Sequence, residues 1–323
     1  MLIYILRSIC YVLDRVVHTI ENIKGKKLTE DQVDTIIKSS QIEIVELMDD
    51  SQYNKLGTAV RGDWLYKNYR EKGQTVEQYI QSNYNYVTDS KKKIYVLPII
   101  DNKKTSEYNY DKIIEYISIF FQLETILLDT IDINTLHSTF KDSKINLKNL
   151  FKDDQYDTQT ILEMLKHILP TDAFCLLALT NVDLCSKGCN FVFGEASYNS
   201  RIGIASVCRF DPLFYQNNYS QEDFDELSKY YGYNYEESLV KDKLINRIYK
   251  IVTHEILHMF SMDHCIWYNC NMCGINGINE LDKYSYRLCP ICINKLYIAN
   301  KFDVKKRTSD LEYFYKHNNI VIN

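Results

Sequence analysis

Apolar residues in the first twenty positions fall at Leu2, Leu6, Ile9, Leu13, Val16 and Ile20. These alternating steps of four and three lay one stripe along an amphipathic helix with a coiled-coil-like seam. Arg7, Asp14 and Arg15 interrupt the stretch, there is no basic n-region, and no apolar run approaches the ~20 residues of a membrane span. A second helix is expected after Thr29, with Gln32 completing a capping-box pattern, and should run to about Met48. The reading of this pair is a helical hairpin packed on the main domain; self-association through the N-terminal helix and a membrane-surface helix are the other two. From Asp63 to Thr88 the chain is polar and Tyr-rich, without a clear period apart from a short helix around Val76 to Gln81.

The pattern then changes. Residues 93–100 (KIYVLPII) are a short apolar run rich in branched side chains, which predicts a buried strand. Residues 111–123 carry Ile113, Ile114, Ile117, Phe120 and Phe121 at helical spacing, and 125–133 return to β-like composition. Strand, helix, strand with a right-handed crossover gives parallel strands with the helix on one face. A helix over 158–169 is stopped by Pro170, and AFCLLALT at 173–180 is a central strand, apolar on both faces. Strands at 190–196 and 202–210 follow, separated by SYNSR, a turn of hairpin length. The acidic, Tyr-rich stretch 211–240 is expected to be part of a cleft wall, a lid or a solvated loop, and helices are expected at 294–300 and up to His317. The expected organisation is a helical extension at 1–90, the main domain at 91–300 and a C-terminal helical tail at 301–323.

With 323 residues, 46% of them hydrophobic, the chain can bury a sizeable core. Its net charge of −5 argues against nucleic acid as the main partner, since a zinc-ribbon reader of DNA would be basic. Ten cysteines with no secretory signal in view point to a reducing, cytosolic setting in which thiols serve metals. No membrane partner is expected.

The chemistry concentrates in HEILHMFSMDHC. His254 and His258 lie four apart, so on a helix they share one face and can offer two imidazoles to one Zn²⁺, with Glu255 beside them as general base. His264 follows six residues later, far enough for the helix to end and the chain to turn back with a third imidazole, leaving the fourth position open. Cys265, Cys270, Cys289 and Cys292 form C-x4-C…C-x2-C, a pairing that suits tetrahedral thiolate coordination of a second, structural zinc. Cys273 can stand in for Cys270. Cys185 and Cys189 form C-x3-C, read as free thiols with a third metal or a disulfide as alternatives; Cys10, Cys175 and Cys208 fall in apolar patterns and are read as core. His18, His137, His167 and His317 are scattered and are assigned no metal.

The order H-E-x-x-H-x-x-(G)-x-x-H-C-x4-C-x-M…C-x-x-C, with DAFCLLALTNVDL, NFVFGEAS and IGIASVCRF ahead of it, resembles the archaemetzincin family of zinc metallopeptidases. The resemblance covers roughly residues 93–296. It implies an α/β, metzincin-like mixed five-stranded sheet with an antiparallel edge strand, a backing helix and the HExxH helix. It further implies that Met272 forms an apolar turn under the imidazoles, and that Phe191, Val192, Phe193, Gly194 and Glu195 are the edge on which an extended peptide adds as a strand. A plain sheet rim is the other reading of that edge, with Gly194 favouring close backbone approach. One position departs from the family pattern: Ser261 replaces a helix-terminating glycine, and if φ is positive there this costs about 1–2 kcal/mol.

The resulting expectation is a zinc metallopeptidase with two zinc ions per chain, acting on peptides or proteins. Intact His254, Glu255, His258 and His264 favour the enzyme. Ser261 favours the competing reading, a zinc protein that binds peptides or partners without turnover.

Overall fold

The computed structural model describes Thr29, residues 31–32 and 34–35, and residues 53–320 apart from 103–107, 142, 144, 146–150, 153–154, 212–213, 215–219 and 232–236. The expected N-terminal helix and most of its partner lie outside the described residues. The capping box is inside them: Thr29 N–H donates to Gln32 Oε1 at 3.0 Å and Gln32 N–H to Thr29 Oγ1 at 3.3 Å.

A short helix α1 (Val76–Gln81), capped by a second reciprocal Thr75/Gln78 box, leads into β1 (Lys93–Ile100). Helix α2 (Tyr110–Phe121) crosses to β2 (Glu124–Leu127) and β3 (Ile131–Asp132), and α3 (Ile133–Thr139) follows. Two short strands, β4 (Phe151–Lys152) and β5 (Gln155–Asp157), precede α4 (Thr158–Leu165). Then come β6 (Ala173–Thr180), β7 (Leu184–Cys185), β8 (Gly194–Ser197) and β9 (Ile202–Ser206). The chain finishes with α5 (Gln221–Tyr231), the long α6 (Glu237–Met259), α7 (Ile278–Lys283), α8 (Pro290–Asn300) and α9 (Val304–His317).

The main sheet runs β2-β1-β6-β9-β8, parallel throughout except for the antiparallel edge β8, with β3 continuing the β2 position along β1. The predicted five positions are present, but the stretch expected as one strand over 125–133 is two short strands. β6 is buried along its whole length because its side chains alternate between two cores. Phe174, Leu177 and Leu179 join the core shared with α2 and α6, and Ala173, Leu176 and Ala178 the core under α4.

Several boundaries differ from the sequence reading. A small second sheet, β4-β5-β7, was not foreseen; strands of two or three residues carry too little periodicity to be read. The expected strand at 190–196 becomes regular only at Gly194, because Val192 N–H is already bonded to Leu184 O of β7. The strand expected over 202–210 stops at Ser206 and turns into a 3₁₀ segment, Cys208–Phe210. Helix α4 ends at Leu165, after which i→i+3 bonds tighten the chain toward Pro170. Helix α8 begins at Pro290 rather than near 294, since proline at the first helical position needs no N–H partner. The stretch 211–240 is not a plain loop: it contains α5 and the start of α6.

Helix α9, polar by composition, packs on α2. Arg307 donates through Nε to Phe120 O at 2.6 Å, Gln122 Nε2 to Asp310 Oδ2 at 3.1 Å, and the Tyr116 and Tyr315 hydroxyls lie 3.3 Å apart.

The C-terminus of α6 is the reversal on which the site depends. Ser261 has φ +66°, Ser261 N–H bonds to His258 O at 2.8 Å, and Met262 N–H reaches back to Leu257 O at 3.3 Å. This is the Schellman pattern of a helix ended by a left-handed residue. The serine also contributes something glycine has not: its Oγ accepts the Asn85 N–H at 3.1 Å, while its carbonyl accepts from Gln74 Nε2 at 3.1 Å. Ser261→Ala keeps the left-handed strain and loses the hydroxyl, and should lower unfolding free energy by about 1 kcal/mol. Ser261→Gly exchanges the same bond for relief of about 1–2 kcal/mol of strain and should stay near the parent, both read from denaturant midpoints. A glycine variant less stable than the alanine variant would contradict this account.

Candidate active site and metal centres

Helix α6 packs across the sheet, with Phe260 stacked on Phe174 at 4.1 Å and on Phe121 at 5.6 Å between ring centroids. His254 and His258, one turn apart on its buried face, bring their Nε2 atoms to 3.1 Å of each other. The turn at Ser261 returns His264 to the same point, and the three histidines offer ligand atoms that all lie within 4.8 Å of one another. Three nitrogens tetrahedrally bound at about 2.0–2.1 Å from zinc would stand about 3.4 Å apart, so the cluster fits that ion.

Each ring is fixed by its other nitrogen. His254 Nδ1 lies 2.7 Å from Asn271 O, His258 Nδ1 2.7 Å from Met262 O, and His264 Nδ1 2.8 Å from Glu71 Oε1. Because all three partners are acceptors, the proton sits on Nδ1 and the Nε2 lone pairs face one another. Burial, reinforced by the neighbouring His264 ring, holds His254 down to about 3, and burial with the other two rings holds His258 well below its ordinary value. His254 and His258 are therefore neutral, the state in which imidazoles bind metal.

Glu255, also on α6, is buried and rests against β8. A Cβ on Gly194 would stand 2.5 Å from Glu255 Oε1 and 2.7 Å from its Cδ. Only a residue without a side chain leaves this carboxylate its place. Burial, and secondarily the charge of Glu195, push the Glu255 carboxyl well above its usual range. Glu195 accepts hydrogen bonds from Thr158 Oγ1 and Gln159 Nε2 of α4. β8 pairs with β9 on one side only among the described residues, and its four residues are half-buried, so it presents an edge. Of the five residues expected there, Gly194 and Glu195 lie in β8. Phe191, Val192 and Phe193 are the approach to it, held by Val192 N–H to Leu184 O and by Ser206 N–H to Phe193 O.

The second group is Cys265, Cys270, Cys289 and Cys292, all buried, with sulfurs within 4.8 Å of one another. Cys265 and Cys289 Sγ stand 3.7 Å apart, close to the ~3.8 Å edge of a tetrahedron with zinc–sulfur bonds of about 2.3 Å. Cys289 caps α8 and Cys292 sits in its first turn, where the helix dipole favours thiolates. Cys289 N–H points at Cys270 Sγ at 3.3 Å. Cys273 falls outside the group, its thiol donating to Tyr268 O at 3.1 Å, so Cys270 is the fourth member. Met272 is fully buried between Asn271, whose carbonyl holds His254, and Cys273; its own carbonyl accepts Cys265 N–H at 2.7 Å. Cys185 and Cys189 form no disulfide and lie outside both groups, and Cys175 and Cys208 are buried in the core.

Three residues at the site were missed by sequence reasoning. Glu71, from the polar stretch before β1, meets His264 across 193 residues and also accepts Trp64 Nε1 at 2.7 Å. Burial raises its carboxyl, but the hydrogen bonds from His264 and Trp64 outweigh that, and the net shift is downward. Gln74 ties the same stretch to Ser261 O and Asp263 N. Tyr198, in the β8–β9 turn, is 41% exposed with its ring 5.9 Å from that of His258 and its hydroxyl 3.3 Å from Asp263 Oδ1. Glu71 has no local signature, because only the closed fold sets it beside a histidine.

The model of peptidase family M54 matches residues 110–297. Archaemetzincin-2 of Rattus norvegicus is 33% identical over 263 residues, which cover 76% of this chain and 70% of the relative. The human archaemetzincin-2 is 31% identical over 261 residues, covering 76% of this chain and 69% of the relative. Among solved structures, the archaemetzincin of Archaeoglobus fulgidus complexed with malonate is similar at 24% identity and a TM-score of 0.44, covering 63% of this chain and 99% of its own. The chain belongs to the archaemetzincins, peptidase family M54, and is a zinc metallopeptidase.

Proposed function

We propose that this chain hydrolyses peptide bonds at His254, His258 and His264 with Glu255 as general base, and that a second zinc is held by Cys265, Cys270, Cys289 and Cys292. The observation that carries the reading is the meeting of three imidazoles with a buried Glu255 carboxyl lodged against a glycine of the sheet edge. Zinc, when bound there, supplies Lewis acidity toward water and the scissile carbonyl. The chain's own groups do the rest. Glu255 takes a proton from the attacking water and delivers it to the leaving amine, a role that suits a carboxyl whose burial raises its basicity. The edge β8 receives an extended substrate as an added strand, and Tyr198 flanks the cleft beside His258.

The reading of binding without turnover drew on Ser261. That residue adopts the left-handed conformation the reversal needs, so nothing at this position favours the alternative over the enzyme. The cytosolic setting is a proposal, supported by cysteines that form no disulfide among the described residues. Among the described residues no helix is long and apolar enough to cross a membrane.

The direct test compares the parent with Glu255→Gln on a peptide library. Turnover should fall by about 10²–10⁴-fold while zinc content is unchanged; undiminished turnover would remove Glu255 from the reaction. Gly194→Ala should displace the Glu255 carboxylate and cut kcat by at least about ten-fold with the protein still folded and zinc-loaded, since the added methyl falls 2.5 Å from Oε1. Metal analysis should find two zinc ions per chain. Cys289→Ser should lower that number and also weaken zinc retention at the histidines, because the Asn271–Met272 turn joins the two groups; full retention there would refute the coupling.

A further inference from the structure

A second concave feature lies away from the histidines. Helices α2, α8 and α9 and the segment before Cys289 enclose a cavity of about 210 Å³, with Tyr53, Phe120, Tyr286, Arg287, Arg307 and Tyr315 in its lining. None of these residues belongs to either metal-ligating group.

The charge in this cavity is unusual. Arg307 is 8% exposed, and its guanidinium lies over the rings of Phe120 at 4.6 Å and Phe302 at 5.3 Å. Its Nε donates to Phe120 O, and neither Nη has a hydrogen-bond partner among the described residues. No carboxylate of the described residues forms an ion pair with Arg307 or with Arg287, and the one acidic residue in the lining, Glu312, is exposed. Both guanidinium groups act on the same two phenols: burial raises the Tyr53 and Tyr315 hydroxyls, and both arginines oppose that rise. All four residues line one space, and the Tyr315 hydroxyl also lies 3.3 Å from that of Tyr116.

A buried cation without a counter-charge is costly, and arginine's planar fork matches the oxygens of phosphate or carboxylate. Aromatic walls deepen the effect by excluding water from around the charges. We propose that this cavity binds a small molecule through its phosphoryl group, gripped by the guanidinium groups of Arg287 and Arg307 with the Tyr53 and Tyr315 hydroxyls beside them. The cavity volume leaves space for an organic portion as well as the oxyanion. Leu288 lines the same cavity and precedes Cys289, so a bound ligand braces the second half of the four-cysteine group.

The test uses the zinc-loaded full chain, followed by thermal unfolding against inorganic phosphate and, separately, glycerol 3-phosphate, with sodium chloride holding ionic strength constant. A saturable rise in Tm is expected from a ligand that binds only the folded state. Tighter binding of the ester assigns an organic phosphate as the occupant; equal or tighter binding of inorganic phosphate assigns the free ion, and either supports the site. Arg307 supports the Phe120 carbonyl, and its replacement puts the fold at risk. The deciding variant is therefore Arg287→Gln at a half-buried position, where the half-saturating concentration should rise by about ten-fold or more. No saturable shift, a shift equal in parent and Arg287→Gln, or stabilisation by succinate without any by either phosphate would overturn the proposal.

Discussion

Two consecutive backbone carbonyls hold this site together. Asn271 O accepts from the His254 ring and Met272 O accepts from the Cys265 amide, so one turn of chain fixes a member of each metal-ligating group. The turn is itself tied down: Asn271 Nδ2 reaches Thr253 Oγ1 on α6 at 2.8 Å, and Asn271 N–H bonds to Arg287 O at 3.0 Å. Thr253, one residue before His254, therefore feels both the helix and the cysteine-bearing loops. Metal ligands need their outer hydrogen bonds to set tautomer and orientation, and here those bonds come largely from the backbone, which cannot change rotamer.

Helix α6 anchors the loops that follow it by a second route. Arg247, almost fully buried, donates from Nε and Nη2 to the Asp282 carboxylate at 2.8 and 2.6 Å and from Nη1 to Phe210 O at 3.1 Å. Three residues on, Lys250 Nζ reaches the carbonyls of Leu281 and Tyr284, and burial lowers its pKa to about 8. The pair holds α7 against the long helix and so sets where Cys289 and Cys292 arrive.

What could be read in advance follows from how local each constraint is. The His254, Glu255 and His258 arrangement needs only helical spacing, and the cysteine pairs need only short loops, so both were legible. The parallel strand–helix–strand unit and the central strand were legible because β1, α2 and β6 carry long, unambiguous apolar patterns. The edge was placed a few residues early, since nothing in NFVFGEAS announces that Val192 is already engaged by β7. Gly194 was expected to mark a close approach; the group that approaches is Glu255, a tertiary fact. Ser261 was read as a departure from the family pattern, and only the neighbouring Asn85 amide explains what the hydroxyl gains. Helix α9 looked like a polar tail because its few apolar residues fall on one face, the face that meets α2.

The distance in sequence between Glu71 and His264 also bears on how the protein is made. During synthesis the segment carrying Glu71 emerges well before the third imidazole and both pairs of thiols, which follow it by 193 residues or more. Chains emerge at about 5–20 residues per second, so the carboxylate waits roughly ten seconds or more for its partner. A nascent chain that has not reached His264 cannot yet bring the three histidines together. The order of the chain thus postpones the meeting of the three imidazoles until His264 has been made.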